Sequence, residues 1–128
     1  MAVGLSSGIA DDILDALLNN TAWSQPAAVY AQLHTGDPGA AGTSNIATET
    51  TRKAVSFGSS SGGSCSSDAD TSWTSVAGSE DYTHYSLWDA ATDGNFLESG
   101  TVTANAVTAG DTFTIASGDI TLTLSVAS

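Results

Sequence analysis

Basic side chains are almost missing from this sequence. One arginine, Arg52, and one lysine, Lys53, stand against fourteen aspartates and glutamates, giving a formal charge of -12 and a pI near 4.1. A surface of that sign repels polyphosphate and anionic lipid, which excludes nucleic acid and membrane as partners. Cysteine is just as scarce: Cys65 stands alone, so it closes no intrachain disulfide and offers a metal at most one thiolate. No apolar run reaches the ~18 residues of a membrane span. Residues 1–20 also lack the basic start and apolar block of a signal peptide, so neither a transmembrane helix nor secretion is expected.

The 128 residues, 41% of them hydrophobic, are enough for one core. At ~100 to 200 residues per domain, a single domain over 1–128 is the expectation. Two cations cannot pair with fourteen carboxylates. The unpaired charges repel one another at low ionic strength and are screened within ~3 Å at 1 M salt, a composition that suits a saline, halophilic setting.

The first element reads as an amphipathic helix over about 8–19. Ile9, Ile13 and Leu17 recur at four-residue intervals with Leu14 and Leu18 beside them, while Asp11, Asp12 and Asp15 face away. Ser6 or Ser7 can cap its first N–H groups, and Asn19 and Asn20 suit its end. Its apolar stripe closes the domain's own core or lies in a neighbour's groove, with the first slightly favoured.

Everything after the helix reads as β-structure, strands joined by turns and loops. Val29, Ala31 and Leu33 alternate with Tyr30, Gln32 and His34 before the turn at Thr35–Gly39, and residues 39–50 read as a surface loop. Val55 and Phe57 share a face, and Gly58–Ser67 is a flexible tract or a weak edge strand. Thr83–Trp88 and Asn95–Val102 look like a hairpin, and so do Thr112–Ile115 and Ile120–Val126 across an Ala-Ser-Gly-Asp turn. Short strands at this spacing predict a mainly β fold: an antiparallel β-sandwich, jelly-roll-like, over about 27–127, with the one N-terminal amphipathic α-helix packed outside it.

Chemistry is hard to place on this pattern. Gly58-Ser59-Ser60-Ser61-Gly62 matches the nucleophile-elbow string, but no helix follows to supply an oxyanion site. His34 and His84 are the only imidazoles, fifty positions apart and without a second histidine or cysteine at ligand spacing, so zinc is not expected. Asp68, Asp70 and Asp81 lack the spacing of a calcium loop and read as solvated carboxylates. No phosphate-cradling glycine loop occurs. The expectation is a non-enzymatic chain with no catalytic residues, no metal and no cofactor.

The aromatics remain: Trp23, Trp73, Trp88, Tyr30, Tyr82 and Tyr85 read first as core or subunit-interface anchors and second as a surface that stacks on carbohydrate. Ile9, Ile13, Leu17, Trp23 and Trp88 are candidates for an interface with further copies or with a capsid. Trp73 and Tyr82 are candidates for an exposed recognition surface that stacks on glycan.

Several segments, in order along the chain, are similar to a known pattern: Ile13-Leu14-Asp15-Ala16-Leu17-Leu18, Pro26–Tyr30, Leu33-His34-Thr35-Gly36-Asp37-Pro38-Gly39, Arg52–Gly58, Thr83–Ala91 and Gly110–Phe113. Together they resemble a family of small virion proteins of tailed viruses, the head decoration and tail-fibre proteins. Where that family carries Tyr-Ala-Arg-Gln before the third strand, this chain has Thr50-Thr51-Arg52-Lys53, and an acidic stretch from Asp68 to Asp81 replaces apolar residues. The resemblance implies a virion structural protein on the outside of the particle, assembled in the host cytoplasm in many copies. Its first expectation is a capsid decoration protein; the alternative is a tail-fibre or baseplate adhesin contacting host glycan. The implied partners are the major capsid protein or tail proteins and the chain itself, as a trimer, pentamer or hexamer, the trimer favoured.

Overall fold

The computed structural model describes residues 3–128. The mainly β expectation is met: one helix, α1 (Ser7–Leu18), precedes eight strands, all paired antiparallel. Strands β1 (Val29–His34), β2 (Lys53–Val55), β5 (Glu80–Trp88) and β6 (Phe96–Val107) form one sheet in the order β2-β1-β5-β6. The remaining four make two ribbons, β3 (Ser64–Ser66) with β8 (Thr121–Thr123) and β4 (Thr71–Trp73) with β7 (Phe113–Ile115).

The β5–β6 hairpin forms as its alternation implied, and runs further than expected, from Glu80 opposite Val107 to Trp88 opposite Phe96. The second hairpin does not form. β7 and β8 follow one another in sequence but pair with β4 and β3, so Thr112–Ile115 and Ile120–Val126 lie in different ribbons. Alternation marks a strand without naming its partner, and here each short strand finds an earlier one. Residues 64–66 of the Gly/Ser tract are a regular strand, with Ser64 and Ser66 hydroxyls bonded to those of Thr123 and Thr121 at 3.1 and 2.8 Å.

The two sides of the main sheet are covered differently. On one side Ala31, Leu33, Val55, Tyr85, Leu87 and Leu97 form a continuous apolar cluster with Trp73, Phe113, Ile115 and Ile120 from the ribbons and their flanks. A register shift between Tyr82 and His84 sets Tyr82 into this same cluster, edge-on to Phe113 at 4.9 Å between ring centroids. Gly100 on β6 permits the Tyr85 ring to lie against the strand, since any Cβ there would strike it.

On the other side polar groups are buried in matched pairs. His34 Nδ1 lies 2.8 Å from the Ser44 carbonyl, which only accepts, so Nδ1 carries the proton. Nε2 then accepts from the Ser86 hydroxyl at 2.7 Å, and that same oxygen accepts from Trp88 Nε1 at 2.7 Å. Burial, first of all, pushes the His34 imidazole below its ordinary range and keeps it neutral.

Arg52 lies over the Trp88 ring, 4.1 Å from its centroid, and donates to Gln32 Oε1, to the Ala90 carbonyl and to the Asp93 carbonyl at 3.2, 2.9 and 2.6 Å. One of the chain's two cations thus fastens the β5–β6 turn. Carboxylates serve the loops in the same manner. Asp37, Glu49, Asp70, Glu80, Asp89 and Asp111 each accept from a backbone N–H at 3.2 Å or less, so part of the acidity is turn capping.

Candidate functional site

The helix forms for local reasons. Ser6, in extended conformation, caps it by accepting from Ile9 N at 3.2 Å, and the Asn19 N–H returns to the Asp15 carbonyl at 2.9 Å. The segment before it is tied to the free side of β6: Ser6 N donates to the Leu97 carbonyl and Ser99 N to the Gly4 carbonyl, both at 2.8 Å, with Leu5 opposite Glu98. So α1 springs from a strand-like anchor at the sheet's edge.

At 3.6 residues per turn the helix carries one broad apolar arc, of which the sheet covers only part. Ile9 and Ile13 turn inward and are half-buried. With Trp23, Pro26, Val29, Phe57, Leu87, Leu97 and Leu122 they line an almost wholly apolar cavity of about 220 Å³ between α1 and the sheet, open on one side to solvent. Leu14, Leu17 and Leu18 point away, 51, 75 and 72% exposed, and no residue of α1 is fully buried. The expectation that the helix closes the domain's own core is corrected: two isoleucines do so in part, and three leucines remain in solvent.

Glu98 borders the cavity. It is 3% exposed and accepts from the Tyr85 hydroxyl at 2.9 Å. Burial pushes its carboxyl up to about 7, only partly opposed by that hydrogen bond, and pushes the Tyr85 phenol up as well. Its position beneath the N-terminal anchor has no signature in the sequence, because Glu98 sits in an ordinary strand stretch.

The remaining candidates fall elsewhere. Trp23 is half-buried at the cavity wall. Trp88, expected at an interface, is 7% exposed beneath Arg52 and against Phe96, so it packs within its own chain. Trp73 and Tyr82, expected on an exposed recognition surface, are both 0% exposed. Trp73 Nε1 donates to the Thr51 carbonyl at 2.8 Å, and the Tyr82 hydroxyl is enclosed without a partner, its phenol pushed up by burial to about 12. Neither ring can meet a glycan.

Ser86 and His34 have the separation of a nucleophile and its base, but both are 0% exposed and fully used by Trp88 and the Ser44 carbonyl. The Gly58–Gly62 string lies in irregular structure that leads into β3. Among the described residues, no three His, Cys, Asp or Glu side chains converge as a metal site, and no helix is long and apolar enough to cross a membrane.

What the geometry offers is therefore an anchored helix with a spare apolar face on a β body, a form suited to attachment. Comparison with protein families gives it a place: the model described as Podophage GP4 fiber I protein gp80 matches residues 4–123. The chain belongs to this fibre family. The match covers α1, its anchor and all eight strands. It makes the chain a virion structural protein of the tailed-phage fibre type, as the resemblance implied. No curated protein matches the sequence.

Proposed function

We propose that the chain is a tail-fibre subunit held on the virion by its N-terminal helix. The family match favours the fibre reading over capsid decoration. The observation that carries the attachment is the outward face of α1, where Leu14, Leu17 and Leu18 stand in solvent on a helix whose base is bonded to the sheet. Burying each such leucine in a partner's groove would be worth roughly 1.5–3 kcal/mol, and lone exposed leucines need no such account whereas three adjacent ones do. The function is structural, and the β body is the part the fibre displays. Contact with host glycan, if it belongs to this chain, falls to residues other than Trp73 and Tyr82.

Separation of heads from tails in disrupted virions, followed by mass-spectrometric counting, tests the proposal. The chain should travel with the tails, in a copy number independent of the major capsid protein. Recovery with the heads, in proportion to the capsid protein, would return it to decoration.

A further inference from the structure

We infer that α1 docks into an apolar groove of a different virion protein, a groove rimmed by lysine or arginine, and not against a second copy of this chain. The inference rests on the fibre reading and names the partner's chemistry.

The helical wheel sets it up. Going round from the outward leucines, Leu18 is followed directly by Asp11 and Asp15 and then by Asp12, while the opposite margin is taken by Ile9 and Ile13, which already face the sheet. All three aspartates are exposed, and α1 contains no basic residue. Whatever covers the leucines therefore brings its own rim within a few ångströms of an acidic edge. An unmatched or like-charged rim at that separation opposes docking, and a cationic rim favours it.

A second copy cannot supply such a rim. The chain has two cations in all. The guanidinium of Arg52 is already held by Gln32, by the Ala90 and Asp93 carbonyls and by the Trp88 face. Lys53 is what remains, against a formal charge of -12 on each protomer. Pairing two such helices face to face would bring their aspartates together with at most one lysine from each side. Complementary charge thus selects a heterologous groove and predicts an association that salt weakens.

The test uses virions assembled with variants of the full chain, counted by mass spectrometry, beside the purified proteins. Replacement of the leucines, L14S/L17S/L18S, should remove the chain from the virion. Neutralising the acidic edge, D11N/D12N/D15N, should weaken docking roughly tenfold, as the loss of three rim ion pairs would, and so lower the chain's copy number. Wild-type chain should be stripped progressively by NaCl. Both purified variants should keep the β-type circular dichroism of wild type and a cooperative melt displaced only by the lost helix propensity, which separates failed docking from failed folding. Contact between copies predicts the opposite charge effect, because removing the aspartates would relieve repulsion.

Undiminished occupancy of D11N/D12N/D15N, or a purified oligomer that L14S/L17S/L18S dissociates, would overturn the inference. Should the wild-type chain travel with heads instead, the fibre reading falls while the charge test still decides what the helix meets. Absence of the wild-type chain from virions altogether would overturn both.

Discussion

The centre of the main sheet and helix α1 treat their apolar and polar groups in opposite ways. Around β1 and β5 the apolar side chains are packed among themselves, and the polar groups that enter are matched: His34 to Ser44 and Ser86, Trp88 to Ser86, Arg52 to two carbonyls. In α1 no residue is fully buried, and the leucines outnumber the isoleucines that face the body. A 12-residue helix is marginal in water by itself, so the order of α1 depends on the Ser6 cap, the β6 anchor and the half-burial of Ile9 and Ile13. The difference teaches that folding and attachment are assigned to separate segments. The apolar cluster of the body draws on the helix only through its isoleucine edge, where Ile9 packs against it, and the helix retains a face that the body does not use.

The largest effect should come from striking the body. Trp73, the last residue of β4, is fully buried with its ring 6.1 Å from that of Phe113, and its indole N–H is bonded to the Thr51 carbonyl. Trp73→Ala would leave a cavity and an unmatched carbonyl, at a cost of about 3–5 kcal/mol in urea unfolding. A loss below about 1 kcal/mol would show that the β4–β7 ribbon stands outside the cooperative core, and the contrast with α1 would collapse.

Glu98 sits where the two regions meet, and its effect should be the next largest. In the unfolded chain its carboxyl ionises near 4.5, while in the folded chain burial raises this to about 7. Between those values the folded state holds the proton more tightly, so stability is greatest below the unfolded value and falls as pH rises toward 7. The full cost is present above it, on the order of 3 kcal/mol at about 1.36 kcal/mol for each tenfold change in proton affinity. Glu98→Gln should therefore raise stability at pH 8 by up to this amount and remove the fall that Glu98 contributes between about 5 and 7. His34 acts with the other sign: its lowered imidazole stays neutral when folded, so acid below the ordinary 6.5 favours unfolding. The Gln variant should accordingly retain only an acid limb. An unchanged profile between 5 and 8 would mean that water reaches the Glu98 carboxyl in the folded chain.

These contrasts also show what a sequence can disclose. The helix was legible within a residue at each end because a four-residue apolar rhythm and a serine cap are local signals. The β5–β6 pairing was legible because one strand turns directly into the next. The partners of β7 and β8 were not, since pairing with β4 and β3 depends on which distant three-residue strand presents a matching face. Trp73 and Tyr82 were candidates for stacking on glycan by residue type alone, yet Ser72 and Thr114 bond to one another on the outside of the ribbon while Trp73 points in. The duties of Arg52 and Glu98 depend on cross-strand geometry, which composition does not carry. Of the site, the stripe itself was readable, but its division into an inward isoleucine half and an outward leucine half appeared only once the sheet was in place.

The smallest expected effect bears most directly on that division. Leu17 and Leu18 are 75 and 72% exposed, so Leu17→Ser with Leu18→Ser removes almost no buried apolar area. What is lost is helix propensity, a few tenths of a kcal/mol per site. The double variant should thus unfold within about 0.5–1 kcal/mol of wild type, whereas truncation of the half-buried pair, Ile9→Ala with Ile13→Ala, should cost more because it empties the wall of the cavity. A large loss from the leucine pair in the isolated chain would mean that those side chains are already covered, by the body or by another copy, and that α1 has no free face to offer. A negligible loss, together with the disappearance of the chain from virions, is the pattern that only a helix kept for attachment produces.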